Sequence, residues 1–242
     1  LFNQSPSNGN GDIVPSGTTY TWTIASNANL SGQTGVNIGQ NSIGQTLTNS
    51  TNISQNLTYT VIPVAGLCTG TSFNLIVTIK PKPSITTNLE QTICSEQQFT
   101  FTPQNNTNGI VPANTTLTWT VSNSNVTGEQ SNPSSGVGTL NQTLTNTAYT
   151  NNQVVYTITP VANSCTGNPF DYTVTVNKAP NLSVTPTSTI CEGNSIQLFA
   201  VDAFNTGQLF YNWTNASTLN SSFIFNPIAT PQTSTTYTVS AI

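Results

Sequence analysis

The feature that most constrains the fold of this chain is an internal repeat with a period of 97 residues. So many identities at a single offset do not arise by chance, and they indicate a duplicated structural unit. The matching segments are Ile13–Pro15 with Ile110–Pro112, Thr21–Thr23 with Thr118–Thr120, Gln45–Asn49 with Gln142–Asn146, Tyr59–Thr60 with Tyr156–Thr157, and Cys68–Gly70 with Cys165–Gly167.

A third, shorter unit follows the two full repeats. Ile93-Cys94 recurs at the same offset as Ile190-Cys191. The third unit has 24 residues from Trp213 to its late tyrosine, against 37 in each of the first two units. We therefore expect three units, spanning residues 1–82, 83–179 and 180–242.

Segments in which apolar residues alternate with threonine predict half-buried β-strands in the repeat. The clearest are residues 18–24, 57–64, 73–79, 117–121, 154–161 and 170–176. Pro, Gly and Asn separate these segments, and no segment has a sustained helical period. A unit of about 100 residues with about seven short strands is typical of an immunoglobulin-like sandwich. The predicted fold class is all-β, with tandem immunoglobulin-like β-sandwich domains in an elongated array.

One tryptophan and one late tyrosine recur in each unit, and we expect them in the core. Each tryptophan lies in the middle of a predicted strand, two residues after Tyr20, Leu117 or Tyr211, so each pair lies on one face. The alternative, a platform for sugar stacking, would need these aromatic residues on an exposed face or loop. The predicted core residues are Trp22, Trp119, Trp213, Tyr59, Tyr156 and Tyr237.

The lysines lie at the unit boundaries, next to prolines. Such segments are short and stiff, and we interpret them as linkers between the units. The predicted linker residues are Lys80, Pro81, Lys82, Pro83, Lys178 and Pro180.

The phase of the repeat also predicts which strands the end units contain. Residue 1 aligns with Gln98, which lies inside the second unit, and Tyr237 aligns with Tyr156. We therefore expect the first unit to lack its first strand and the third unit to lack its last strand. On this interpretation the chain is a window from a longer array.

The four cysteines recur with the repeat and leave several pairings open. A bond within each unit predicts Cys94–Cys165 and places the partners of Cys68 and Cys191 outside the chain. Bonds between neighbouring units, Cys68–Cys94 and Cys165–Cys191, also fit the period, and free thiols are a third alternative. We expect the bond within the unit, although the two turns involved lie at opposite ends of a seven-strand sandwich. Either disulfide pattern implies an oxidising, extracellular location.

The composition excludes several classes of function. Only 4% of the residues are charged, with three lysines, seven acidic residues and no histidine. Imidazole catalysis and histidine metal sites are therefore impossible, and three lysines cannot form the basic face that nucleic acids require. No apolar run of about 18 residues predicts membrane insertion.

The remaining acidic residues are scattered over the three units. Glu96 and Glu192 each follow a cysteine in a predicted turn, where we expect solvated side chains. A calcium ligand at a unit junction is the alternative, because calcium requires several oxygen ligands in one place. We expect no enzymatic activity, no metal and no cofactor.

Three segments carry a family resemblance: residues 20–24 (YTWTI), 190–198 (ICEGNSIQL) and 233–239 (TSTTYTV). They are similar to the PKD-like and immunoglobulin-like repeats of giant cell-surface proteins in Bacteroidota. The Trp-x-Phe-Gly-Asp-Gly motif of true PKD domains is missing, since Trp22 and Trp119 are followed by Thr-Ile-Ala and Thr-Val-Ser. The resemblance is therefore to the PKD-like relatives. It implies a large secreted adhesin, exported by type IX secretion and displayed as a filament, of the kind found in gliding bacteria.

The expected function is that of a non-enzymatic structural and adhesive stalk at the cell surface. Its expected partners are neighbouring repeat units of the same long chain, other filament chains, and glycans or surfaces that contact the polar Thr-, Ser- and Asn-rich exterior. The main alternative is a carbohydrate-binding or spacer region of a secreted polysaccharide-degrading enzyme. A polymer formed by strand exchange is less favoured, because the end units are expected to lack different strands.

Overall fold

The structure, a computed structural model, describes residues 2–9, 11–122, 125–131, 136–148, 150–204 and 207–242. The described residues form tandem β-sandwich domains whose one helical segment is a 3-10 turn, Ala216–Thr218, which confirms the predicted fold class. Three separate clusters of buried side chains lie within residues 2–79, 85–176 and 196–239. We refer to the surrounding structures as units one, two and three.

Unit two has the most complete pair of sheets. Its strands are β10 (Ser84–Ile85), β11 (Glu90–Cys94), β12 (Gln98–Phe101), β13 (Gly109–Ile110), β14 (Thr116–Val121), β15 (Val126–Thr127), β16 (Leu140–Thr143), β17 (Thr145–Asn146), β18 (Asn152–Ala162), β19 (Cys165–Thr166) and β20 (Phe170–Asn177). One sheet has the strand order β11-β20-β18-β14, with β19 paired to β18, and the two-stranded pairs β10–β13, β12–β16 and β15–β17 are separate from it.

The core of unit two follows from the alternation of its strands. Val154, Tyr156 and Ile158 of β18 are fully buried, whereas the residues between them are partly or fully exposed. Phe99 and Leu140, from the β12–β16 pair, belong to the same buried cluster. Side chains from two layers therefore meet in one core, as in a β-sandwich.

The first long strand of unit two has an unusual direction. β11 runs parallel to β20, from Glu90 opposite Thr173 to Cys94 opposite Asn177. Every other pairing between described strands is antiparallel. The β11 segment therefore closes the outer edge of β20.

Unit one repeats this arrangement without a counterpart of β11 among its described residues. Its strands are β1 (Phe2–Gln4), β2 (Thr19–Ile24), β3 (Leu30–Ser31), β4 (Val36–Gln40), β5 (Ile43–Gln45), β6 (Thr48–Asn49), β7 (Gln55–Ala65), β8 (Cys68–Thr69) and β9 (Phe73–Ile79). The main sheet has the strand order β4-β2-β7-β8, with β9 paired to β7, and the smaller pairs are β1–β5 and β3–β6.

Unit three is smaller, and its strands are β21 (Leu182–Val184), β22 (Ile196–Gln197), β23 (Ala200–Asp202), β24 (Tyr211–Trp213), β25 (Ile228–Ala229) and β26 (Val239–Ala241). The described strands form three two-stranded sheets, β21–β23, β22–β25 and β24–β26. The buried cluster of this unit consists of Leu198, Ala200, Trp213 and Ala229.

Candidate functional site

A hydrogen-bonded network explains why tryptophan, glutamine and tyrosine recur together in the repeat. In unit two, the Trp119 indole N–H donates to the Gln130 carbonyl (2.8 Å), and the Gln142 amide donates to the same carbonyl (2.7 Å). The Gln142 side-chain oxygen accepts from the Tyr156 hydroxyl at 2.8 Å and from the Gln130 N–H at 3.1 Å. The Gln142 side chain thus connects the backbone of Gln130, to which the tryptophan also donates, with the hydroxyl of a fully buried tyrosine.

The same network holds unit one together. The Trp22 indole and the Gln45 amide both donate to the Thr34 carbonyl, and the Tyr59 hydroxyl donates to the Gln45 oxygen at 2.8 Å. In unit three the indole of Trp213 again donates to a loop carbonyl eleven residues further along the chain. The polar atoms of these aromatic residues are therefore used inside the units.

The structure places the six predicted core aromatics in or against the three buried clusters. Trp22 and Trp213 are buried, as are the tyrosines of the first two units, whereas Trp119 and Tyr237 are partly buried and pack against their clusters. The hydroxyls of Tyr237 and Thr218 are 2.7 Å apart, which replaces the tyrosine–glutamine contact of the other units.

Burial also changes the acidity of the two central tyrosines. Burial raises the pKa of Tyr59 to about 12. It raises the pKa of Tyr156 too, and the nearby Glu129 carboxylate adds to that effect because it disfavours a second negative charge. Both side chains therefore remain neutral hydrogen-bond donors at physiological pH.

The asparagine that ends the repeated Gln-Thr-Leu-Thr-Asn segment is buried and closes one end of each full unit. The Asn146 amide donates to the carbonyls of Thr150 (2.8 Å) and Val176 (2.9 Å), and its oxygen accepts from the Ala148 N–H (3.0 Å). Asn49 makes the corresponding bonds in unit one. The repetition of this segment is visible in the sequence, whereas the role of its asparagine is visible only in these contacts.

The predicted disulfide between Cys94 and Cys165 is not formed, and all four cysteines are free thiols in the structure. Cys94 lies opposite Asn177, at the end of the sheet where β18 begins, whereas Cys165 pairs with Ala162, where β18 ends. The length of β18 separates the two thiols by about 30 Å. Disulfides require Cα atoms within about 7 Å, so the expectation of a bond within the unit is wrong.

The ammonium group of each predicted linker lysine contacts the unit that follows it in the chain. The Lys80 ammonium donates to the Asn163 carbonyl at 3.3 Å, and the Lys82 ammonium donates to the Asn168 side chain at 2.9 Å. At the next junction, the Lys178 ammonium lies 3.8 Å from the centre of the Phe204 ring and donates to that residue's carbonyl at 3.4 Å. The prolines Pro81, Pro83 and Pro180 alternate with or follow these lysines.

Two grooves open on the end units. The unit-one groove, of about 620 Å³, lies between residues 12–15 and residues 63–73. The unit-three groove, of about 770 Å³, lies between residues 184–192 and residues 231–239, above Trp213.

Unit three also exposes several large apolar side chains. Phe210 and Phe223 are 72% and 71% exposed, and Phe199 and Phe225 are about half exposed. Exposed phenylalanines are candidate contact residues for surfaces or other proteins.

The described residues contain no group of three or more cysteine, aspartate or glutamate side chains placed to hold a metal ion. None of the helical structure that the coordinates describe is long and apolar enough to cross a membrane.

Comparisons with solved structures find other chains of several domains. The FN1–FN3 domains of chicken CNTN1 align at 11% identity and a TM-score of 0.34, covering 93% of this chain and 82% of that one. The human desmocollin-1 ectodomain aligns at 16% identity and a TM-score of 0.25, covering 91% of this chain and 48% of that one. The insect immune protein hemolin aligns at 8% identity and a TM-score of 0.26, covering 96% of this chain and 69% of that one. These likenesses are weak. No curated protein sequence matches the chain significantly.

A family model gives a direct assignment. The model described as a PKD-like domain matches residues 6–83 and again residues 91–180, together more than half of the chain. Each match contains one complete tryptophan–glutamine–tyrosine network. The chain therefore belongs to the PKD-like domain family.

Proposed function

We propose that this chain is a non-enzymatic structural and adhesive region of a large, secreted cell-surface adhesin, in which the PKD-like units form a stalk. The observation that carries the proposal is the internal use of the repeated polar residues: tryptophan, glutamine, tyrosine and asparagine all bond within their own unit. Such residues stabilise a scaffold, and in the described part of the two full units their polar side-chain atoms are occupied by these internal bonds.

The junctions support a stalk. Lys80 and Lys82 reach from the linker to the turns of unit two, and Lys178 stacks on Phe204 of unit three. Contacts of this kind restrict the motion of neighbouring domains, as an extended spacer requires. The resemblance of the segments at 20–24, 190–198 and 233–239 to Bacteroidota surface repeats further supports an extracellular filament exported by type IX secretion.

The exposed phenylalanines of unit three are the proposed adhesive contact. To test this, beads coated with the chain are measured for detachment force on polystyrene and for binding to a glycan array. We expect the double variant Phe210→Ser/Phe223→Ser to adhere much more weakly to polystyrene. The matched control is Ile38→Ser/Ile53→Ser, which removes two exposed apolar side chains from unit one.

Equal adhesion of both double variants would overturn the adhesive assignment to unit three. A glycan signal that only the phenylalanine variant loses would instead favour the alternative of a carbohydrate-binding region in a polysaccharide-degrading enzyme.

A further inference from the structure

Unit two has a neighbouring unit before it and another after it in the chain, so tension along the chain passes through it. The chain enters at one end of the sandwich, where the Lys82 ammonium donates to the side chain of Asn168, two residues after β19. It leaves at the opposite end, where the Lys178 N–H donates to the side chain of Asn151, just before β18 begins. The length of β18 separates these two ends by about 30 Å. A pulling force therefore acts along the strands.

The strands nearest to the entry and the exit of the chain lie side by side and run in the same direction. β11 pairs in parallel with β20. The hydrogen bonds between them extend from the Thr173 N–H, which donates to the Leu89 carbonyl at 2.9 Å, to the Ser95 N–H, which donates to the Asn177 carbonyl at 3.0 Å. Tension pulls the start of β11 toward one end of the unit and the end of β20 toward the other. The two strands are therefore loaded in opposite directions along a common axis.

This geometry distributes a load over the whole ladder of hydrogen bonds. When paired strands are pulled in opposite directions along their axes, all the bonds between them are strained together, whereas strands that are pulled apart sideways lose their bonds one at a time. Ile93 is only 6% exposed and also fixes β11 in the core. Because forced unfolding is governed by the unfolding rate, a barrier that requires several bonds to break at once prolongs the folded life of the loaded unit.

We propose that β11 and β20 form a load-bearing clamp, which keeps unit two folded while the chain is under tension. The clamp rests on the proposed function as a stalk, because a stalk transmits tension between its two ends. It lies within residues 84–178 and does not involve the exposed phenylalanines of unit three. The adhesion test and the force test can therefore fail separately.

Force spectroscopy on the whole chain compares two pulling directions through unit two. Handles attached at Ser84→Cys and Ala179→Cys load β11 and β20 along their axes, as tension in the chain does. Handles attached at Cys94 and Ala179→Cys pull from one end of the ladder, because Cys94 lies opposite Asn177. All three handle positions are exposed. Every native cysteine that carries no handle is replaced by serine.

We expect unit two to resist an at least about twofold higher force when it is loaded along the strands, at the same pulling speed. The length of chain released in each event identifies the unfolding of unit two. Equal forces in the two directions, or a lower force along the strands, would overturn the clamp.

A proline in β11 tests whether the ladder itself carries the load. The bonds of Leu89 and Ser95 show that the odd-numbered residues of this segment direct their backbone groups toward β20, so the Gln91 N–H belongs to the ladder. Gln91→Pro removes that N–H. The matched control, Gln91→Ala, keeps the N–H but loses the same side-chain contact, in which the Tyr172 hydroxyl donates to the glutamine oxygen at 3.0 Å.

Along the strands, Gln91→Pro should unfold at no more than about three quarters of the force that Gln91→Ala requires. With the handles at Cys94 and residue 179, the two variants should unfold at similar forces, because the bonds nearest to Cys94 break first. An equal loss of force in both directions would mean that the proline destabilises unit two as a whole, and equal forces along the strands would mean that the ladder carries no load. Either result would overturn the proposal. The comparison of directions in the chain with an unaltered β11 tests the clamp even where Gln91→Pro does not fold.

Discussion

The glutamine that begins the repeated Gln-Thr-Leu-Thr-Asn segment connects a loop to the core in units one and two. Gln142 accepts from a tyrosine that has no exposed surface and also bonds both polar groups of the Gln130 backbone. A buried hydroxyl that loses its acceptor costs more free energy than an ordinary hydrogen bond contributes. The repetition of this residue is thus a consequence of packing.

Replacing this glutamine with an apolar residue of similar size should destabilise unit two. Gln142→Leu removes three hydrogen bonds and leaves the Tyr156 hydroxyl without its acceptor, so we expect a loss of about 2–3 kcal/mol in the free energy of unfolding. Urea unfolding is followed by fluorescence in a chain whose only tryptophan is Trp119. The control, Gln153→Leu on the exposed face of β18, should change stability by less than about 0.5 kcal/mol. Equal losses in the two variants would contradict the network.

The buried tyrosines predict a loss of stability at alkaline pH. Burial raises the pKa of Tyr59 to about 12, whereas a tyrosine in the unfolded chain titrates near pH 10. The folded chain therefore binds the hydroxyl proton of Tyr59 more tightly than the unfolded chain does. The resulting contribution to the free energy of unfolding is complete below about pH 10 and is lost as the pH rises from about 10 towards 12.

The expected slope is about 1.4 kcal/mol per pH unit for each such tyrosine. Urea unfolding between about pH 9 and 11.5, with tyrosinate absorbance as the probe, should show a shallower decline for Tyr59→Phe than for the unaltered chain. Parallel declines in the two proteins would contradict this assignment.

At the scale of elements, the sequence predicted the strands better than their partners. The alternation in residues 154–161 and 170–176 predicted β18 and β20, because half-buried strands require it. The alternation of apolar and polar residues is the same whether two strands pair in parallel or antiparallel. The parallel pairing of β11 with β20 could therefore not be deduced from it. The error over Cys94 and Cys165 has the same origin, since a shared repeat period does not show which end of a strand a residue occupies.

The two faces of strand β11 should contribute differently to the stability of unit two. Ile93 is 6% exposed and packs in the core, whereas its neighbour Thr92 is exposed. Ile93→Ala should lower the free energy of unfolding of unit two by about 2–4 kcal/mol, because it leaves a cavity. Thr92→Ala should change it by less than about 0.5 kcal/mol. Urea unfolding with Trp119 as the probe measures both, and similar losses would mean that β11 does not contribute to the core.

At the scale of the whole molecule, the repeat predicts three units and the proline-flanked segments that join them. It could not predict how the junctions are held, because the contacts involve residues far apart in the chain. The Lys82 ammonium donates to the side chain of Asn168, and the Lys178 ammonium lies over the ring of Phe204. No sequence pattern around Asn168 or Phe204 predicts a contact with a lysine. The sparse positive charge of this chain is therefore concentrated where neighbouring domains meet.

The position of the lysines allows one junction to be probed with a protease. Trypsin cleaves after lysine but not before proline, so Lys178–Ala179 is the one susceptible bond in the sequence. In the folded chain the Lys178 ammonium lies over the Phe204 ring at 3.8 Å, and its backbone N–H donates to Asn151 at 3.0 Å. Cleavage therefore requires the junction between units two and three to open.

Phe204→Ala removes the ring under the ammonium, a contact worth about 0.5–1 kcal/mol at an exposed site. If cleavage follows the open population, trypsin should cut this variant about two- to fivefold faster than the unaltered chain. Intact-mass spectrometry should show only the fragments 1–178 and 179–242. Phe223→Ala, an exposed phenylalanine elsewhere in unit three, is the control and should leave the rate unchanged. Equal acceleration in both variants would mean that loosening of unit three as a whole, rather than opening of the lysine contact, exposes the bond.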